Sequence, residues 1–148
     1  MECPLIQQAT RRTSQQQRGD AAEASAARFL ESRGLVVLDR GYVRRTGELD
    51  LVCVEPATHT VVFVEVRFRR SLQHGGPLGS ITASKARKLR STAAAWLQRH
   101  ADPRRPARID VIGISLIRAQ AGAAWPVDEI SNEISWEGNY LTWVKSAC

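Results

Sequence analysis

The segment Val61-Val-Phe-Val-Glu-Val-Arg-Phe-Arg-Arg70 constrains this chain more than any other. Its β-branched and aromatic side chains favour a strand, and its apolar residues fall on both alternating faces, the pattern of a central strand covered from above and below. A fold that contains it needs a layer on each side. One carboxylate, Glu65, interrupts the run, and cations follow at once. An unpaired carboxylate buried there costs several kcal/mol, so Glu65 needs a partner.

The 148 residues are read as one domain, with a polar arm over 1–17, a folded region over 18–118 and an extension over 119–148. An alanine-rich stretch from Asp20, a candidate N-cap, to Gly34, a natural terminator, predicts a first helix. At about 100° per residue, Ala22, Ala26, Phe29 and Leu30 share a stripe and Glu23 falls at its edge. Strands are expected over 35–43, 48–55 and 60–69, as an antiparallel meander. After a glycine-rich loop, residues 81–100 form a second helix with the stripe Leu89, Ala93, Trp96 and Leu97. A fourth strand over 107–117 is reached by that helical crossover and so lies parallel to the third. The tail beyond Gln120 fits either short strands or a terminal helix. The expected fold class is α/β, a mixed sheet of four to five strands with one helix on each face.

A hairpin turn centred between Ala57 and Thr58 opposes Asp50 to Glu65 and Glu48 to Arg67. Directly opposed residues have Cβ atoms about 4.5–5.5 Å apart, and like charges so placed repel. A divalent cation offsets that repulsion: Mg²⁺ takes oxygen ligands and needs one or two carboxylates beside water and phosphate. The competing reading makes Glu48 and Arg67 a surface ion pair, with Asp50 and Glu65 on the exposed face of a one-sided sheet. Lys85 lies within about 40° of Leu89 and Trp96 on the buried side of its helix. It either snorkels past the helix end or serves the same site.

In order along the chain, Gly47-Glu-Leu-Asp50, Val62-Phe-Val-Glu-Val-Arg67, Gly75-Gly-Pro77, Lys85 and Arg108-Ile-Asp110 resemble the YraN family of bacterial proteins. Those are predicted endonucleases similar to archaeal Holliday junction resolvases, within the PD-(D/E)xK nuclease superfamily. The resemblance spans roughly Arg18 to Ile117 and implies a restriction-endonuclease-like core. It implies that Asp50, Glu65 and the backbone carbonyl of Val66 bind Mg²⁺ or Mn²⁺, that Glu23 points into the same site, and that water is activated there against a phosphodiester. The family's commoner pattern has lysine at the position of Arg67. Arginine keeps the positive charge but cannot act as a base, and Lys85 is the residue expected to compensate. Resolvase-like enzymes also act as dimers, so a homodimer is implied.

Charge agrees with a nucleic-acid partner. Residues 51–100 carry 8 basic and 2 acidic side chains and hold the whole net charge of +6. Lysine and arginine release counterions when they neutralise a phosphate backbone, and Arg69, Arg70, Arg87, Lys88 and Arg90 flank the carboxylates. Asp110 is expected to support the fold or an arginine, and the four tryptophans to lie in the core or at an interface instead of stacking on bases. No apolar run reaches the ~18 residues of a membrane span. Cys3, Cys53 and Cys148 show no disulfide or metal spacing, which makes the cytoplasm the expected compartment. Three functions stand: a metal-dependent endonuclease on DNA, a non-catalytic nucleic-acid-binding module with a degenerate nuclease site, and a dimeric scaffold whose tryptophan-bearing tail binds protein.

Overall fold

The computed structural model describes residues 13–69, 81–116 and 133–148. Arg70, His74, Gly75-Gly-Pro77, Trp125 and residues 1–12 of the expected arm lie outside the described residues.

Helix α1 runs Ser14–Ser32. Thr13 caps it: its hydroxyl accepts from the amide of Gln16, whose side chain accepts in turn from the amide of Thr13. Helix therefore begins well before Asp20, and residues 14–17, expected in the arm, belong to it. The capping signal is a threonine–glutamine pair in a glutamine-rich run, which masks it. The other end falls where expected, with Gly34 at φ 89°.

Strands β1 (Val36–Arg44), β2 (Gly47–Glu55) and β3 (Thr60–Arg69) form the antiparallel meander. Helix α2 (Ala83–His100) crosses over to β4 (Ala107–Ser115), which pairs with β3 in parallel from Val61↔Ala107 to Arg69↔Ser115. The tail resolves its two alternatives in favour of strands, β5 (Ile134–Trp136) and β6 (Asn139–Val144). They join at Glu137 and Gly138, both at positive φ, as a tight two-residue hairpin requires. The six described strands make one sheet in the order β1-β2-β3-β4-β6-β5. The sheet thus exceeds the four to five strands expected, because β6 of the C-terminal segment pairs with β4 and β5 pairs with β6.

Each face has its own core. Ala22, Ala26, Phe29 and Leu30 of α1 cover Leu51, Cys53, Val62 and Val64 on one side. Leu89, Ala93 and Trp96 of α2 cover Val52, Val61 and Phe63 on the other. The helix-per-face architecture is as expected.

The C-terminal hairpin is fastened by polar as well as aromatic contacts. Trp136 and Trp143 both meet the Phe29 ring edge-on, at 5.3 and 5.8 Å between centroids. Asp110, fully buried in β4, accepts from Arg108 Nε at 3.1 Å, Trp143 Nε1 at 3.0 Å and the Ser146 amide at 2.9 Å. Arg108 reaches on to Glu55 at 2.6 Å. Asp110 supports the fold and an arginine, Trp96 is a core residue, and Trp136 and Trp143 pack partly buried against the core. Removing the Asp110 charge leaves Arg108 partly buried with less compensation, so Asp110→Asn should lower stability by about 3 kcal/mol. A leftward shift of the urea midpoint with unchanged slope is the expected result; an unshifted midpoint would show that the network is dispensable.

Candidate functional site

The β2–β3 ladder runs from Glu55↔Thr60 to Leu51↔Val64 and stops there. That is the register expected from a turn between Ala57 and Thr58, and its next step opposes Asp50 to Glu65. At that step a side chain replaces the backbone rung: the amide of Val66 donates to Asp50 Oδ2 at 2.8 Å. The alternation of β2 breaks at the same place. Strict alternation would put Leu49 with Leu51 on the α1 side, yet Leu49 packs with Val52 on the α2 side. The irregularity aims Asp50 into the gap, a use of broken pairing common beside functional sites.

Glu65 follows at 5% exposure. Its carboxyl is pushed up to about 7, first by burial and then by the charge of Asp50, against the opposing pull of Arg67 and Lys85. Glu23 comes down from α1 and is likewise pushed up to about 7, by burial, by the charge of Asp50 and by a hydrogen bond with it. The structure therefore brings Glu23, Asp50 and Glu65 together from three elements. The surface ion pair between Glu48 and Arg67 is not what forms, since Arg67 turns to Glu65 on its own strand, Nη2 to Oε1 3.1 Å.

Lys85 completes the group. Its amide donates to the hydroxyl of Thr82, the N-cap of α2, at 3.1 Å, so Lys85 stands in the first helical turn. From there its ammonium lies 3.5 Å from Glu65 Oε1. The half-buried stem does not carry the charge away to open solvent; it carries it to the carboxylates.

The flanking cations are more dispersed. Arg87, Lys88 and Arg90 are exposed along α2, and Arg69 ends β3 opposite Ser115. Two features escaped the sequence reading. The Val66 amide was not foreseen as the group that holds Asp50, because the carbonyl of Val66 was the atom singled out. Arg18 carries no sequence signal because it stands just before Asp20, the expected start of the first helix, whereas the helix already begins at Ser14.

The donor set suits a hard divalent cation. Carboxylates driven to hold protons near neutrality are relieved by a positive charge placed among them, and their oxygens are the ligands Mg²⁺ and Mn²⁺ prefer. Among the described residues no three Asp, Glu, His or Cys side chains close into a ready-made cage. An ion here would rest on one or two carboxylates and complete its shell with water and ligand oxygens.

Fold and site together define a mixed α/β protein, a six-stranded sheet flanked by two helices, with an acidic cluster where β2 and β3 part. Residues 22–114 match the family described as "Uncharacterised protein family UPF0102", and this chain belongs to that family. A "UPF0102 protein" of Methylobacillus flagellatus is 47% identical over 115 residues, covering 78% of this chain and 97% of that one. The "UPF0102 protein YraN" of Escherichia coli is 37% identical over 137 residues, covering 93% and 88%. The resemblance to the YraN group read from the motifs is therefore shown. Among the described residues, no helix is long and apolar enough to cross a membrane.

The crowding of carboxylates has a measurable consequence in the metal-free protein. The folded Glu23 carboxyl holds its proton up to about pH 7, against an ordinary value of 4.5. A carboxyl raised in this way costs stability as pH rises from the ordinary value, and the cost is complete above the raised one. With chelator present, Glu23→Gln should therefore stabilise the protein by about 1 kcal/mol at pH 8, allowing for partial solvent screening. The gain should shrink between pH 7 and 4.5 and vanish below. Denaturant titrations across that range check it, and a difference independent of pH would refute the charge assignment.

Proposed function

We propose that this protein is a metal-dependent nuclease that hydrolyses DNA phosphodiester bonds, resolvase-like in its chemistry. The observation that carries the reading is the Lys85 ammonium 3.5 Å from Glu65, beside an Asp50 fixed by the Val66 amide. Two oxygen ligands and an ammonium gathered where β2 and β3 part are the parts phosphodiester hydrolysis needs.

Asp50, Glu65 and the carbonyl of Val66 are the groups that would hold Mg²⁺ or Mn²⁺. When bound, the ion supplies positive charge for the phosphoryl oxygens as negative charge develops on them. Lys85 steadies the phosphate and orients the attacking water. An ammonium on a flexible stem can do both, whereas the Arg67 guanidinium contributes charge and hydrogen-bond donors to phosphate but, always protonated, cannot act as a base. Glu23 lines the α1 side and offers an acceptor for water. Arg87, Lys88 and Arg90, exposed along α2, are the described cations that would meet the DNA backbone away from the cut. The UPF0102 relatives establish the family, and their names specify no chemistry.

Cleavage of single-stranded, duplex, flapped and four-way-junction DNA with Mg²⁺ or Mn²⁺ tests the reading. Wild type should cut, and Asp50→Asn and Glu65→Gln should abolish cutting. Lys85→Ala should lower turnover by roughly 10²–10³ while DNA binding stays within several-fold, the pattern of a group acting in the transition state. Equal binding without cutting by all four proteins would replace the nuclease with a nucleic-acid-binding module. Mn²⁺ at about 100 times its Kd should also stabilise wild type by roughly 2.7 kcal/mol and leave the thermal midpoint of Asp50→Asn unmoved. Equal shifts in both would place the ion elsewhere.

A further inference from the structure

A groove of about 540 Å³ runs beside the carboxylates, between the first turns of α1 and the outer end of β3. Arg18 and Gly19 form one wall, and Val66, Arg67 and Phe68 the other. It adjoins the proposed site directly, because Val66 holds Asp50 and Arg67 holds Glu65.

Its charge is only partly committed. Arg28, further along α1, is tied to Glu137 by two hydrogen bonds of 2.6 and 2.8 Å. Arg18 is exposed and has no side-chain hydrogen bond or ion pair among the described residues. Arg67 gives one terminal nitrogen to Glu65, while its buried Nε has no hydrogen-bond partner. A buried donor left unmade costs about 1–3 kcal/mol, so an anion that let this guanidinium turn would relieve it. Gly19 adds access. It sits inside an otherwise alanine-rich helix, where glycine is unfavourable by about 1 kcal/mol, and a Cβ built on it meets nothing within 4 Å. The groove is thus open at Gly19 on its helix wall. Past Arg18 and Phe68 it continues into a hollow of about 290 Å³ beside Ala21 and Ala22.

We propose that this groove carries the sugar–phosphate backbone of the DNA strand next to the scissile bond, with Arg18 as the residue that grips its phosphate. The inference rests on the nuclease reading and goes beyond it by stating the side on which the strand leaves the carboxylates. Positive charge on two facing walls, open space at Gly19 and the carboxylates alongside fit a phosphodiester chain. Arg18 binds substrate, and it acts on the affinity for DNA more than on turnover.

The test measures binding of a fluorescently labelled single strand, with Ca²⁺ in place of Mg²⁺ to prevent cutting, over a range of salt concentrations. Arg18→Ala, Arg18→Glu and Arg18→Lys are compared with wild type and with Arg104→Ala, an exposed arginine before the start of β4, at the opposite end of the β3–β4 pair. Arg18 is exposed on a helix that alanine favours, so the variants keep the fold. Arg18→Ala should weaken binding by roughly 5–10-fold and flatten the logarithmic salt slope by about 0.7, the loss of one single-strand phosphate contact. Arg18→Glu should lose more, Arg18→Lys should recover most of the affinity, and Arg104→Ala should change nothing. Arg18 variants that bind within twofold of wild type, or lose no more than Arg104→Ala, would overturn the groove and leave the nuclease standing. A wild type that neither binds nor cuts DNA would overturn both.

Discussion

One hydrogen bond organises this molecule: the amide of Val66 gives its proton to the carboxylate of Asp50 where a backbone carbonyl would otherwise receive it. On the turn side of that bond, β2 and β3 zip regularly from Glu55↔Thr60 to Leu51↔Val64. Beyond it the antiparallel ladder has ended. Strand β3 stays straight nonetheless, because its other edge remains paired with β4 as far as Arg69↔Ser115. The parting is therefore one-sided. It opens space for side chains on a backbone held rigid from behind, which is the support a site needs to keep its groups in place.

Two buried carboxylates a short distance apart show what that space is for. Asp110 is fully buried and accepts from Arg108, Trp143 and Ser146, so its charge is met by groups of the protein itself. Glu65 is nearly as buried, yet it faces a second acid in Asp50 and is pushed up to about 7 despite the two cations beside it. One carboxylate is a satisfied anchor, and the other is held in an arrangement the chain alone leaves strained. Such strain is retained where a ligand relieves it.

The reach of Lys85 depends on packing some distance from it. Gly47 begins β2 at φ 148°, and a Cβ there would stand 3.2 Å from the hydroxyl of Thr92. The absent side chain lets α2 settle against the start of β2, where Thr92 also meets Thr46 at 2.8 Å. That contact and the Thr82 cap set the height of the first turn of α2 over the sheet. The ammonium then arrives at Glu65 from the helix, on the same carboxylate oxygen that Arg67 approaches from the strand.

Much of this was legible in the chain itself. Period-two and helical patterns located β1 to β4 and α2 to within a few residues, because burial of one face imposes its spacing on the sequence that makes it. The turn at Ala57 and Thr58 carried the β2–β3 register, and register alone opposed Asp50 to Glu65. What remained hidden were features that no local pattern encodes. The start of α1 lay in a glutamine-rich run without apolar period, and the β5–β6 hairpin drew its stability from Phe29, far away in sequence. The choice of Arg67 between Glu48 and Glu65, the break in alternation at Asp50 and the convergence of Glu23 and Lys85 from opposite faces were decided by tertiary structure. Sequence spacing orients a side chain about its own helix or strand; only packing of the helices on a shared sheet determines which charges meet.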